Sequence, residues 1–210
     1  MAAKEIWKWD AATVAAAIRA LGRRAVALGA DVSHSAAVTK LVRAAEEALG
    51  PIDVLVNNAG VALRRGLDEL GEDDFDRTIA VNLKSAFLCT QAVWPGMRTR
   101  GWGRIVNISS GAARGAGIVG PHYNASKAGM EGLTRGYAAR LVKDGVTVNA
   151  VAPSLIESDM TAGHRAESAA RIPLGRLGTA EEVASVVVML AGNAYMTGQT
   201  VQVNGGLHFN

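Results

Sequence analysis

The chain has 210 residues, of which 49% are hydrophobic and 20% charged, and it contains 24 glycines. This composition is typical of one compact α/β domain and excludes a disordered chain. The net charge is +3, from 22 Lys and Arg against 19 Asp and Glu, and the basic residues are dispersed, so we expect no nucleic-acid partner.

Cys89 is the single cysteine, which excludes an intrachain disulfide and favours a reducing compartment. Its apolar neighbours predict a packed thiol rather than a nucleophile. No apolar run reaches the ~20 residues that cross a bilayer, and the first ten residues lack the apolar core of a signal peptide. We therefore expect a cytoplasmic protein without a membrane partner, and we predict no metal site.

Helical and strand patterns alternate along the chain. In chain order the predicted elements are a helix over Ala11–Leu21, a strand over Ala25–Leu28, a helix over Ser35–Leu49, a strand over Ile52–Val56, a helical stretch over Asp74–Met97, a strand over Arg104–Ile108, a helix over Tyr123–Lys143, a strand over Val146–Val151, a helix over Ala180–Ala191 and a strand over Thr200–Val203. Strands separated by helix-length segments predict a doubly wound parallel sheet with helices on both faces, a three-layer α/β/α fold of the Rossmann type.

Polar residues and glycines follow the first four predicted strands. They are Asp31-Val32, Asn57-Asn58-Ala59-Gly60, Ser109-Ser110-Gly111 and Ala152-Pro153-Ser154. Each group alone could be a simple turn, because Asn, Ser and Gly are common turn residues. Ligands of parallel sheets bind at the carboxyl ends of the strands, so four such groups together predict a binding crevice at that edge.

Tyr123 and Lys127 stand four residues apart in the stretch Pro121–Met130. On a helix this spacing puts both side chains on one face. A nearby cation favours the phenolate and would lower the pKa of the phenol, which suits a proton donor and acceptor near neutral pH. The alternative is an exposed Tyr and Lys that share a helix face without any catalytic role.

Taken together, these motifs resemble the short-chain dehydrogenase/reductase family, and specifically its 3-oxoacyl-(acyl-carrier-protein) reductase branch. The resemblance runs from about Ala11 to Gly206, and Ser110 stands 13 residues before Tyr123, which is the family's active-site spacing. The matching segments are Asn57–Gly60, Val81–Leu83, Ile108–Ser110, Tyr123–Lys127, Asn149–Pro153 and Val203–Gly206.

The resemblance implies four catalytic residues. Tyr123 would exchange a proton with the substrate oxygen, and Lys127 would lower the pKa of that phenol and bind the nicotinamide ribose. Ser110 would hydrogen-bond the substrate carbonyl. Asn82 would hold a water that links Lys127 to solvent, although it could also be a polar residue that interrupts a helix face.

The resemblance also implies a nicotinamide cofactor, NADP or NAD. Its contacts would be Asp31 and Val32 at the adenine, Asn58, Ala59 and Gly60 at the adenosine ribose, and Tyr123, Lys127, Pro153 and Ile156 at the nicotinamide end. The residue that distinguishes NADP from NAD follows a strand that this chain lacks, so the preference cannot be predicted.

The implied substrate is a small carbonyl or alcohol compound, or an acyl group on a carrier. Arg165, Arg171 and Arg176 are candidates for contact with an acidic carrier protein, and are equally well explained as surface arginines. The family forms homodimers and homotetramers through two long helices, which correspond here to the segments around Asp74–Met97 and Tyr123–Lys143. We therefore expect one of these two assemblies.

One family element has no match. The family normally begins with a strand and a glycine-rich turn that binds the cofactor pyrophosphate at a helix N-terminus. Only Met1 to Asp10 precede the first predicted helix, and they include no glycine. We therefore expect one domain, residues 1–210, that lacks the family's first two strands, and we favour a truncated reading frame over a native variant.

The missing strands would lie between Ala25–Leu28 and Ile52–Val56 and leave an exposed edge. Two alternatives are a substitute strand at Ile6–Trp9 and a five-stranded sheet in which the two edges join directly. Two functions also remain open. The chain is an oxidoreductase that interconverts a ketone and a secondary alcohol, or it is a cofactor-deficient remnant that acts as an assembly or binding protein.

Overall fold

The computed structural model describes residues 10–158 and 165–209. A parallel sheet of four strands in the order β1-β2-β3-β4 lies at the centre of this part of the chain. The strands are β1 Val54–Asn57, β2 Gly103–Ile108, β3 Val146–Pro153 and β4 Thr200–Val203. The α/β class and the parallel sheet are therefore as predicted.

Helices connect and cover the strands. They are α1 Ala11–Ala20, α2 Ser35–Leu49, α3 Glu72–Ile79, α4 Ser85–Arg100, α5 Pro121–Leu141, α6 Arg165–Ala170 and α7 Ala180–Gly192. A π-helical segment, Ala80–Lys84, joins α3 to α4, so the helical stretch predicted over Asp74–Met97 is present but not uniform. Within the described residues, no helix is long and apolar enough to cross a membrane.

Two apolar clusters fill the space on either side of the sheet. Ile105 of β2 packs in a cluster with Met97 of α4 and Val148 of β3. Its neighbour Val106 packs in the other cluster with Val151 and Leu190 of α7. Successive residues of a strand point to opposite faces, so this division gives a three-layer arrangement with α4 and α5 on one face and α7 on the other.

The first residues of α5 and α7 determine where these two helices begin beside the crevice. Pro121 begins α5 directly after Gly120, and proline suits the first helical position because its missing N–H has no partner there. The first turn of α5 therefore carries Tyr123. A capping box begins α7, since Thr179 Oγ1 accepts from the amide of Glu182 and the Glu182 carboxylate accepts from the amide of Thr179.

The strand predicted over Ala25–Leu28 is wrong. In the described part of the chain these residues pair with no strand, and Val26 and Leu28 are 39% and 41% exposed. An apolar run becomes a strand only when a neighbour completes its hydrogen-bond ladder, and here none does. The five-stranded alternative is wrong for the same reason, whereas Ile6–Trp9 lies outside the described residues.

β1 is one of the two edge strands of the sheet. This strand pairs with β2 on one side, and its Val54 and Val56 are each 41% exposed. The exposed edge that was expected is therefore present in the described structure. Cys89 is half-buried in α4 and burial raises the pKa of its thiol, as expected for a packed thiol that is not a nucleophile.

The turn at Gly145 gives a test of the fold. Gly145 has φ +74°, and a Cβ there would overlap the carbonyl oxygen of Gly101. Gly22 has nearly the same φ, +73°, but has no atom within 4 Å of a built Cβ. We expect Gly145→Ala to lower the free energy of unfolding by about 3–5 kcal/mol, and Gly22→Ala by about 1 kcal/mol. Urea unfolding measures the free energy of unfolding of both variants. Equal losses would contradict the close approach of Gly145 to the main chain of Gly101.

Candidate active site

A cavity of about 970 Å³ lies at the carboxyl ends of β1, β2 and β3. The position agrees with the crevice that the strand ends predict. Its polar lining comes from the loops after the strands and from α5, and includes Asn58, Gly60, Ser109, Ser110, Tyr123 and Lys127. One wall is apolar and belongs to α7, with Ala180, Val183, Ala184, Val187 and Val188. The cavity therefore combines a polar end with an apolar wall, as small-molecule sites commonly do.

Ser110 and Tyr123 meet at the polar end. The Tyr123 phenol forms a hydrogen bond with the Ser110 side chain. Ser110 lies at the end of β2, where its Oγ also accepts from the amide of Ala112 at 3.2 Å and so caps a short 3-10 turn. The two hydroxyl groups are therefore side by side and could together hold one carbonyl oxygen.

Lys127 lies one turn further along α5. Only 5% of it is exposed, and its Nζ donates to the main-chain oxygen of Ile108 at 2.8 Å. The same Nζ is 5.8 Å from the centroid of the Tyr123 ring. Burial disfavours the charged form and lowers the pKa of Lys127 from its ordinary 10.5 to about 8.

The predicted effect of Lys127 on Tyr123 is wrong in this structure. Burial raises the pKa of the Tyr123 phenol, and the hydrogen bond from Ser110 opposes that rise. The ammonium of Lys127 is directed at Ile108 and lies by the face of the ring, which explains why it does not lower the phenol pKa. The phenol is consequently protonated at neutral pH and ready to donate.

Asn82 lies in the π-helical segment and is fully buried. Its Oδ1 accepts from the amide of Val61 at 2.7 Å, and its Nδ2 donates to the oxygen of Val61 at 3.0 Å and to Ser126 Oγ at 3.1 Å. π-helical segments often occur at functional sites, and this one directs an amide side chain between the loop after β1 and helix α5. Asn82 thus tethers the two segments directly.

Gly60 allows the loop after β1 to pass close to these groups. A Cβ on this residue would lie 3.3 Å from Asn82 Oδ1 and 3.7 Å from Lys127 Nζ. The first contact is tighter than ordinary van der Waals packing, so a larger side chain would have to displace Asn82. The main chain at Gly60 therefore forms one side of the cavity next to the lysine.

The predicted cofactor residues fall into two groups. Asn58, Gly60, Pro153 and Ile156 line the cavity together with Tyr123 and Lys127. Asp31, Val32 and Ala59, all described residues, are not part of that lining. The Asp31 carboxylate instead accepts from the amide and the hydroxyl of Ser33, at 2.9 Å and 2.6 Å, in the turn before α2.

The fit of a nicotinamide cofactor can be tested on these residues. The nicotinamide and its ribose fit, because a buried ammonium, a phenol and the open main chain at Gly60 line one cavity. A turn rich in glycine that leads from a strand into a helix is the usual support of the pyrophosphate, and residues 10–158 and 165–209 do not include one before α1. Among these same residues, no cluster of three or more His, Cys, Asp or Glu side chains could hold a metal ion.

Sequence reasoning assigned no individual role to several polar side chains around the site. Asn124, Ser109 and Glu131 all contact the loop that carries Ser110 or the helix that faces it. His122 is 1% exposed, and its Nε2 lies 2.9 Å from the oxygen of Leu63. A signal was available for two of these residues, because Asn124, Lys127 and Glu131 recur at spacings of three and four and share one helix face.

Comparisons with known proteins give the same assignment as the motifs. A family model described as enoyl-(acyl carrier protein) reductase matches residues 5–208. The 3-oxoacyl-[acyl-carrier-protein] reductase FabG of Pseudomonas aeruginosa is 40% identical over an alignment of 205 residues, which covers 94% of this chain and 82% of that protein. The acetoacetyl-CoA reductase of Allochromatium vinosum is 39% identical over 184 residues, which cover 85% of this chain and 75% of that protein.

A solved structure from Sinorhizobium meliloti 1021, described as a short-chain alcohol dehydrogenase, is similar over most of its length. It superposes with a TM-score of 0.88 at 36% identity, covering 93% of this chain and 81% of the other. Sequence and structural likeness therefore agree over nearly the whole chain. The chain belongs to the short-chain dehydrogenase/reductase family and resembles its 3-oxoacyl-(acyl-carrier-protein) reductases.

Proposed function

We propose that the chain interconverts a ketone and a secondary alcohol with NAD or NADP, and that Tyr123 is the proton donor or acceptor. The observation that carries the proposal is the meeting of Ser110, Tyr123 and Lys127 at the polar end of one cavity. A hydroxyl pair next to a buried cation suits a reaction in which negative charge develops on an oxygen atom.

The roles of the side chains follow from their positions. The bound cofactor would supply a hydride to the carbonyl carbon, or remove one from the alcohol. Ser110 would donate a hydrogen bond to the carbonyl oxygen, and Tyr123 would give its proton to that oxygen during reduction. Lys127, while charged, would donate a hydrogen bond to the nicotinamide ribose.

The protonation states of Tyr123 and Lys127 agree with these proposed roles. The raised pKa of Tyr123 keeps the phenol protonated at neutral pH, as a proton donor requires. The pKa of Lys127, about 8, keeps most of the ammonium charged at pH 7. Loss of that charge above pH 8 would remove a charged hydrogen-bond donor from the ribose site, so cofactor binding and reduction would weaken on the alkaline side.

The lining of the cavity supports an acyl thioester as substrate. Arg64 and Arg171 bring positive charge to a cavity whose α7 wall is apolar. A phosphate-bearing carrier with an acyl chain matches both features, and relatives are named for acyl-carrier and CoA substrates. Arg176 is a weaker candidate, because its guanidinium binds the Glu182 carboxylate at 2.6 Å and 2.9 Å. The side chain of Arg165 lies outside the described residues.

Two expectations from the family complete the proposal. We propose a homodimer or homotetramer formed through α4 and α5, and Phe87 of α4, 41% exposed, supports a contact there. We also propose that the protein acts in the cytoplasm, which its single cysteine favours.

A non-catalytic role as an assembly or binding protein is the second candidate. One observation favours it: the described residues provide no glycine-rich turn for the pyrophosphate. Such a turn supplies several charge-assisted hydrogen bonds, each worth roughly 1.5–3 kcal/mol. The 210-residue chain would then keep the catalytic side chains but bind the cofactor weakly, and its activity would be poor or absent.

Cofactor binding separates the two candidates. We expect the purified chain to bind NADPH or NADH saturably, because a buried ammonium, a phenol and the open main chain at Gly60 line one cavity. Nicotinamide fluorescence during titration gives both dissociation constants, and the tighter nucleotide shows the preference. Saturable binding would contradict the cofactor-deficient candidate, and no binding by a folded chain would contradict the enzyme proposal.

The role of Tyr123 is tested by removal of its hydroxyl. We expect Tyr123→Phe to lower kcat for reduction of acetoacetyl-CoA by about 10²–10⁴-fold, since a positioned proton donor contributes about that much. NADPH oxidation, followed by absorbance, measures the rate. Tyr137→Phe is the matched control, because Tyr137 lies on the same helix outside the cavity lining and hydrogen-bonds Gln91. Equal losses in both variants would contradict a special role for Tyr123.

The pKa of Lys127 predicts how stability depends on pH. Between pH 8 and 10 the folded chain holds Lys127 neutral, whereas the unfolded chain, with a pKa near the ordinary 10.5, still binds the proton. Unfolding therefore takes up a proton in this window, and the free energy of unfolding should rise by about 2–3 kcal/mol from pH 8 to pH 10. Urea unfolding at several pH values measures this, with Lys127→Met as the reference. The same slope in both proteins would refute the lowered pKa.

A further inference from the structure

Three side chains on one face of α5 hold the loop that follows β2. Asn124 Nδ2 donates to the main-chain oxygens of Gly115 at 2.9 Å and Ala116 at 2.6 Å. Lys127 donates from its Nζ to the oxygen of Ile108 and accepts at its own main-chain oxygen from Ser109 Oγ at 3.2 Å. The third side chain of this face, Glu131, lies one turn beyond Lys127 and contacts the middle of the loop.

Glu131 is a buried carboxylate, 4% exposed. Its Oε2 accepts from Arg114 Nε at 3.0 Å, and its Oε1 lies 3.5 Å from Ser109 Oγ. The Arg114 side chain is 39% exposed and therefore reaches in from the surface to meet the acid. A buried carboxylate needs such a partner, because an unpaired charge at this depth would be strongly destabilising.

The contacts of Glu131 flank Ser110 on both sides. Ser109 directly precedes Ser110 in the chain, and Arg114 follows Ser110 by four residues. A 3-10 turn joins Ser110 to Arg114, in which the amide of Ala113 donates to the oxygen of Ser110 at 2.9 Å and the amide of Arg114 donates to the oxygen of Gly111 at 3.2 Å. Because this turn is short and hydrogen-bonded, the position of Arg114 constrains the position of Ser110.

We propose that Glu131 is a positioning residue for Ser110, acting through Arg114 and Ser109. It holds the Ser110 hydroxyl beside the Tyr123 phenol, at the place where a substrate carbonyl would bind. Glu131 and Arg114 are described residues that do not line the cavity, so they act through the loop and not on the substrate. The inference rests on the proposed function of this site, and extends it to a residue outside the cavity.

The first test compares rates in variants of Glu131 and Arg114. We expect Glu131→Gln to lower kcat for reduction of acetoacetyl-CoA by NADPH about 10- to 100-fold with little change in KM for NADPH, since a hydroxyl displaced by about 1 Å loses much of its effect. Arg114→Ala should give a similar loss. Arg114→Lys should restore part of it, because it returns a cation to Glu131.

The second test asks whether Glu131 acts through Ser110. In a chain that carries Ser110→Ala, the further change Glu131→Gln should alter kcat less than about twofold, because no hydroxyl remains to be positioned. Asp144→Asn is the matched control, since it breaks the ion pair of Arg98 Nε with Asp144 Oδ2 at 2.6 Å, away from the cavity. It should leave kcat unchanged.

A third measurement needs no activity. The hydrogen bond from Ser110 lowers the pKa of Tyr123, so both Ser110→Ala and Glu131→Gln should raise the midpoint of the Tyr123 titration. The ultraviolet titration of each chain, less that of the same chain with Tyr123→Phe, isolates this phenol. The chain that carries both Ser110→Ala and Glu131→Gln should have the same Tyr123 midpoint as the chain with Ser110→Ala alone.

The outcomes distinguish this inference from the proposed function. A wild-type chain without reductase activity would count against the proposed function, and the titration would still decide the role of Glu131. A midpoint that Glu131→Gln leaves unchanged would overturn the inference. So would an equal loss of kcat from Glu131→Gln with and without Ser110.

Discussion

The site depends on the docking of α5 against the end of β2. One buried ammonium, that of Lys127, is held by the main-chain oxygen of Ile108, the last residue of the strand. This contact costs desolvation, which the lowered pKa of the lysine records. It also fixes the rotation of α5 about its axis, and that rotation determines where Tyr123 stands relative to Ser110.

The strands and most helices could be predicted because their signals are local. Apolar runs bounded by Gly, Pro and Asn marked the four paired strands, and capping or stop residues marked the helix ends to within a few positions. Ala25–Leu28 shows the limit of such signals. Its composition suits a strand, but strand formation needs a neighbouring ladder, and the presence of a neighbour is not a property of the segment.

The site was partly predictable for a similar reason. Spacing and motif identified Ser110, Tyr123, Lys127 and Asn82, and the structure brings all four to the same end of the sheet. The direction of the Tyr123 pKa was not predictable, because four-residue spacing puts two side chains on one face but leaves the orientation of the ammonium open. Glu131 escaped notice because a charged residue on a helix is usually solvated, and only the fold shows that this one is enclosed.

The π-helical segment Ala80–Lys84 constrains the number of residues between α3 and α4. The amide of Ser85 donates to the oxygen of Ala80, five residues back, so this stretch holds one residue more than an α-helix would need. One residue turns an α-helix by about 100°, so removal of any one residue here would rotate α3 relative to α4 by that angle. Thr78 of α3 and Thr90 of α4, both buried, could then not remain inside together. The stretch should therefore tolerate no insertion or deletion, even where the side chains other than that of Asn82 can be replaced.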